Sequence, residues 1–277
     1  MKNWILVLLL TCAYVYSQNA FSLRDPTFLY AAKRKVQAAP PSNGLLNNIV
    51  SYWPFTSSGG AAYGGVPMNS AGGSANYITN GLIGSGASFP FWGDYSFGFY
   101  TPSSISLDIS QDFTASIWVA PFDASGANGQ YGTIIRISNG FSESVAIALD
   151  VGNGEADYAQ WTAGTGTSSG SIGINNGSGW AANQWFHLVL VFDSANLTLS
   201  IYNNGSYADT ISVTSLTGSS SCPELDLLSD YGELPYSFGS AACRVDETGV
   251  WQRQLTPVQI MQLYNGGAGY PFSSFTH

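Results

Sequence analysis

Glu224 and Asp226 stand two residues apart in "ELDLLSD" (224–230), which puts both carboxylates on one face of a strand. Paired carboxylates are the machinery of glycoside hydrolysis: a retaining enzyme sets a nucleophile and a proton donor about 5 Å apart. Ser229 cannot deliver a proton usefully near neutral pH, and Asp230 alternates onto the face opposite to Ser229. The pair therefore reads as an acidic strand end. The two histidines offer less. His277 is the last residue, and His187 lies in "WFHLVLVF", a run apolar at nearly every position. It reads as a hydrogen-bonded core residue rather than the base of a Ser-His-Asp triad. No phosphate loop, zinc motif or nucleotide fingerprint is present.

Two other groupings offer binding chemistry. "DVGNGEAD" gathers Asp150, Asn153, Glu155 and Asp157 in a Gly-rich turn, the oxygen donors that Ca2+ prefers, although not at EF-hand spacing. A solvated hairpin is the plain alternative. Trp92, Asp94 and Tyr95, then Asp157 and Trp161, then Asn176, Trp180 and Asn183, each set a ring beside polar side chains. A flat apolar ring suits the C–H face of a sugar and the polar neighbours suit its hydroxyls. Rings that pack loops onto a core are the alternative for each group.

The elements that must position these residues are strands. "IVSYWPF", "FTASIWVAP", "GTIIRIS", "SVAIALDV", "WFHLVLVFD", "LTLSIYNNG", "DTISVTS", "ELDLLS" and "RVDETGVW" are short runs rich in β-branched and aromatic residues. "YNNGSY" predicts a tight hairpin at Asn-Gly. "WFHLVLVF" predicts a strand covered on both faces. One helix is predicted in "LTPVQIMQLYNGG", with Thr256 as N-cap, Pro257 at the first position and Gly266 at the stop. The fold class is all-β, a two-sheet antiparallel sandwich with one short C-terminal helix. A chain of 277 residues with 45% hydrophobic, 14% aromatic and 9% charged residues has ample material for such a core.

Charge is segregated. Five of the eight basic residues fall within the first 35 positions. From residue 36 onward three arginines stand against sixteen acidic residues, a balance that repels phosphate backbones and excludes nucleic acid as a partner. Residues 1–17 read as a signal peptide: Lys2, an apolar run from Trp4 to Tyr16 too short to span a bilayer, and small residues before a cut after Ser17. Lipidation at Cys12 is the alternative. The chain is expected to be secreted or cell-surface, and not transmembrane once cleaved. Residues 18–43 form a basic segment and linker, whose positions 24–35 could engage an assembly partner or remain a solvated tail. Cleavage leaves Cys222 and Cys243. An even pair in an oxidising compartment points to one disulfide, with two buried thiols as the alternative. Sequons at Asn176, Asn196 and Asn204 matter only in a glycosylating host.

In order along the chain, "LNNIVSYWPF", "FTASIWV", "NQWFHLVLVFD", "LTLSIYNNG" and "VDETGVWQRQLTPVQIMQLYNGGAGYPF" resemble the concanavalin A-like lectin/glucanase superfamily, in its laminin-G-like form found in secreted bacterial and phage proteins. The resemblance runs from about residue 45 to 272. It implies a jelly roll over 44–272 with a tail at 273–277, and it places Trp53, Trp118, Trp185 and Trp251 at core strand positions. The acidic residue expected after "YWPF" is Thr56 here, which weakens an implied calcium site. Laminarinase-type β-glucanases carry a run similar to "ELDLLS", but with Glu where this chain has Ser229. The implied function is a non-catalytic carbohydrate-binding or adhesion module whose partner is a glycan or a surface protein. A virion or cell-envelope decoration subunit is the alternative, and a laminarinase-like hydrolase a second one.

Overall fold

Strand-forming runs pair into two antiparallel sheets. The structure, a computed structural model, describes residues 43–56, 60–71, 76–78, 80–89, 98–102, 105–122, 130–138, 143–151, 158–163, 166–171, 183–213, 224–228 and 243–277. The strands are β1 (Ile49–Trp53), β2 (Asn69–Ala71), β3 (Asn76–Ile78), β4 (Gly86–Phe89), β5 (Gly98–Tyr100), β6 (Phe113–Pro121), β7 (Gln130–Ser138), β8 (Glu143–Val151), β9 (Tyr158–Ala163), β10 (Gly166–Ser171), β11 (Phe186–Asp193), β12 (Thr198–Asn203), β13 (Ser206–Ser212), β14 (Glu224–Leu227) and β15 (Cys243–Trp251). One sheet runs β13-β12-β11-β6-β15-β4-β3, with β1 also on β15; the other runs β10-β9-β8-β7-β14-β5-β2. This is the all-β sandwich expected.

The main core lies between the sheets and includes Trp53, Phe99, Phe113, Ile117, Leu188, Leu225, Leu227 and Val245. Each fully buried aliphatic or Phe side chain stabilises the fold by about 1.5–3 kcal/mol. A second cluster covers the outer face of the first sheet. There Val189 and Val191 of β11 meet Leu45, Tyr52, Trp251, Leu255, Ile260, Leu263 and Phe275. Alternate residues of β11 thus enter different cores, which is why its sequence is apolar throughout.

The helix α1 (Pro257–Tyr264) begins where its cap predicts: Gln259 N–H donates to Thr256 Oγ1 at 3.3 Å, and Gln259 Oε1 accepts from Thr256 N–H in return. It ends at Tyr264, two residues before Gly266, because Asn265 itself takes the left-handed cap at φ 47°. The β12–β13 turn puts Asn204 and Gly205 both at positive φ, the twist a two-residue hairpin needs.

The last five residues are not a tail. Phe275 is buried in the second cluster and stacks on Tyr270, while Thr276 N–H donates to Asn43 Oδ1 at 2.9 Å. An aromatic placed two residues from the C-terminus completes the apolar cover over Tyr52 and Trp251. Trp251 Nε1–H donates to Leu45 O at 2.7 Å, and Arg253 donates to the carbonyls of Gly44, Asn47 and Gln254. The start and end of the domain are thereby sewn together.

Candidate functional site

The register of the second sheet sorts its residues into rows. Glu224, Ser138, Ser144, Thr162 and Thr167 form one row across β14-β7-β8-β9-β10. Asn69, Tyr100, Asp226, Arg136, Ala146, Gln160 and Ser169 form the next row of the same parity. The intervening parity carries Ile135, Ile137, Leu225 and Leu227, all core residues. The residue types on the parity opposite the core are therefore mostly polar, and two of them at the middle of the sheet, Asp226 and Arg136, are buried.

Asp226 is not the acidic strand end expected from the sequence. β14 is an interior strand, flanked by β7 and β5, and the Asp226 side chain is 1% exposed. A carboxylate there requires a counter-charge. Arg136, 4% exposed on the adjoining strand, supplies it with Nη1 3.6 Å from Asp226 Oδ2. The separation of 90 positions between the partners hid this pair from sequence reading, although an arginine inside "GTIIRIS" was itself a signal that a partner was needed. Beyond Leu227 the strand stops at Leu228, whose φ of 56° turns the chain and whose N–H donates to Ile134 O. Ser229 and Asp230 lie outside the described residues.

A second acidic group sits in the first sheet. β15 bulges between Asp246 and Gly249 opposite β6, with Glu247 at φ 46°. Asp246 accepts from the N–H of Ile83 and of Glu247 at 2.9 Å each. Tyr52 Oη–H donates to Glu247 Oε2 at 2.5 Å. Burial pushes Asp246 up to about 7 despite these donors, and burial with the neighbouring Asp246 charge pushes Glu247 up to about 8. The same burial, with the Glu247 charge next, raises the Tyr52 phenol well above its ordinary value. Near neutral pH Glu247 is thus held mostly as the neutral acid.

His187 is the buried, bonded residue expected. Its Nε2 lies 2.8 Å from Ser116 Oγ, and its ring stacks on that of Trp118, which also stacks on Tyr264. Burial lowers its pKa to about 3, so it stays neutral.

Of the residues expected to bind ligand, Asn183 is fully described. It is exposed, has φ 62°, and joins the end of β6 to the approach of β11 through N–H donation to Pro121 O at 2.6 Å. Trp161 is described in backbone only; its row in β9 contains Val145, Ile137 and Leu225. Trp92, Asp94, Tyr95, Asp157, Asn176 and Trp180 lie outside the described residues. In the expected calcium loop, Asp150 pairs with Tyr131 at the end of β8, while Asn153, Glu155 and Asp157 are not described. Among the described residues no cluster of three metal-ligating side chains occurs. Cys243 is buried at the start of β15, opposite Pro121; Cys222 lies outside the described residues. Trp53, Trp118 and Trp251 are buried as expected, but Trp185 is only half-buried, because it precedes β11 at the sheet's rim and packs against the Arg244 guanidinium.

The family model of the concanavalin A-like lectin/glucanases superfamily, in its laminin G form, matches residues 94–261. The chain belongs to that superfamily. No curated protein sequence matches it. Similar solved structures include domain 4 of AbnA, a GH43 extracellular arabinanase from Geobacillus stearothermophilus in complex with arabinotriose: TM-score 0.59, 16% identity, 78% of this chain and 97% of that one. The binding domain of botulinum neurotoxin DC in complex with SialylT gives TM-score 0.57 at 16% identity over 81% of this chain and 52% of that one. The Trypanosoma rangeli sialidase gives 0.54 at 15% identity over 81% and 34%. The chain therefore spans nearly all of the arabinanase domain, about half of the neurotoxin binding domain and about a third of the sialidase. At these identities the likeness is one of fold.

Proposed function

We propose that this chain is a non-catalytic carbohydrate-binding or adhesion module acting outside the cell. What supports the reading is the run of polar residue types on the parity of the second sheet opposite the core, where Asp226 is engaged by Arg136. Hydroxyl and amide residues in rows match the alternating donors and acceptors of a glycan. A nucleophile must be free to attack, and Asp226 is buried and ion-paired, so it serves the fold rather than hydrolysis. The groups around Trp92, Asp94 and Tyr95 and around Asn176, Trp180 and Asn183 supply the stacking rings in this reading, whereas Trp161 stands within β9 in the row of Val145, Ile137 and Leu225. Ca2+ held at Asp150, Asn153, Glu155 and Asp157 would order one of those loops. Export rests on residues 1–17, and no helix among the described residues is long and apolar enough to cross a membrane.

Screening the full chain on an array of plant, bacterial and animal glycans, with Ca2+ and with a chelator, tests the proposal. Saturable binding to a related set of glycans is the expected result. An array with no binder in either condition would contradict it.

A further inference from the structure

Three arginines serve the domain, and two are accounted for. Arg136 faces Asp226, and Arg253 donates to three backbone carbonyls and to Gln259 Oε1. Arg244, the second residue of β15, has no carboxylate partner among the described residues. Aromatic rings hold it instead: its Cζ lies 5.4 Å from the Phe122 ring centroid and 5.9 Å from that of Trp185. Its Nη2–H donates to Asn183 Oδ1, and its Nε is buried without a hydrogen-bond partner.

This clamp is built at one rim of the first sheet. Phe122 follows the end of β6, Asn183 and Trp185 lead into β11, and Arg244 opens β15 beside Ala120 and Ser88. Asn183 is fixed from both sides, its N–H donating to Pro121 O and its Nδ2 to Phe122 O at 3.5 Å. Phe122, Trp185 and Arg244 are half-buried, while Asn183 and Gln184 are exposed. The guanidinium is thus oriented before any ligand arrives, which lowers the ordering cost of binding.

We infer that this clamp is an acidic-sugar subsite, taking the carboxylate of a uronic acid residue within an otherwise neutral glycan. The inference rests on the glycan-binding reading above and names its ligand class. A guanidinium presents a planar fork that matches a carboxylate. The rim rings offer apolar surface to the C–H face of the same sugar. Sixteen acidic residues in the chain beyond residue 35 create a field that repels dense polyanions, so a sparse carboxylate suits the site better than a heavily sulfated chain.

Calorimetric titration of the full chain with a xylo-oligosaccharide carrying one glucuronic acid branch, and with its methyl ester, tests the inference. The acid is expected to bind at least about tenfold more tightly than the ester, the return for a charge-assisted hydrogen bond. The preference should weaken with added salt. R244M should remove it, R244K should keep the charge but lose most of it, and W185A should weaken both ligands. Near-UV circular dichroism checks that each variant is folded; if R244M is not, R244K carries the test. Equal binding of acid and ester, or an unchanged preference in folded R244M or R244K, overturns the subsite. Neutral glycans bound on the array with neither xylo-oligosaccharide bound overturns the subsite alone. No glycan bound in either experiment overturns both readings.

Discussion

Raising the pH from 5 to 8 should destabilise this protein, because two of its buried carboxyls, Asp246 and Glu247, are held neutral in the fold. Asp246 goes from 3.8 to about 7, and Glu247 from 4.5 to about 8, mainly through burial. A carboxyl with a raised folded pKa stabilises fully below its unfolded pKa and loses that contribution as pH climbs through the folded value. Between pH 5 and 8 the two together give up about 6 kcal/mol. His187 works in the other direction. Burial lowers it from 6.5 to about 3, so its contribution is complete above pH 6.5 and fades as pH falls towards 3. It returns about 2 kcal/mol over the same interval, leaving the protein about 4 kcal/mol more stable at pH 5 than at pH 8. Urea unfolding at pH 4, 5, 6.5 and 8 measures this directly, with an expected midpoint drop of about 1–2 M from pH 5 to 8. E247Q keeps an acceptor for Tyr52 and should flatten more than half of the slope. A midpoint that holds constant or rises from pH 5 to 8 in the unmodified protein would refute the reasoning, because it would mean the pair is ionised in the fold.

Two further outcomes follow from the packing and a third from the cysteine count. R136M removes the counter-charge 3.6 Å from the buried Asp226 carboxylate and should cost about 3–5 kcal/mol, with R136M/D226L recovering most of it in the same urea assay. A Cβ at Gly249 would come within 2.5 Å of the Trp251 ring and 2.6 Å of the Tyr52 ring, so G249A should lower stability by about 1–3 kcal/mol or more, read as a fall in Tm. From the even cysteine count alone we propose that Cys222 and Cys243 become linked when the chain folds in an oxidising compartment; two alkylated thiols before reduction, read by intact-mass analysis, would contradict the pairing.

The fold was largely legible because its signals are local. β11 advertised its two covered faces, Asn204-Gly205 its hairpin, and Thr256-Pro257 its helix start. Phe275 was misjudged as tail because nothing near it in the chain reveals that Tyr52 and Trp251 lie beneath. The site was legible only in part. Asp226 and Arg136 meet through strand order, Arg244 and Trp185 through the adjacency of two rims, and neither can be read from spacing. The Glu247 bulge is likewise set by β6 and β1 on either side of β15.

The central claim is binding without hydrolysis. The most direct measurement incubates the full chain with a glycan that binds on the array, follows saturation by calorimetry, and then sizes the same glycan by mass spectrometry. Saturable binding with the glycan length and reducing ends unchanged after prolonged incubation is the result this account predicts. Shortened products formed by the unmodified protein and absent with E224Q would contradict it, and would make the β14 carboxylates a hydrolytic site.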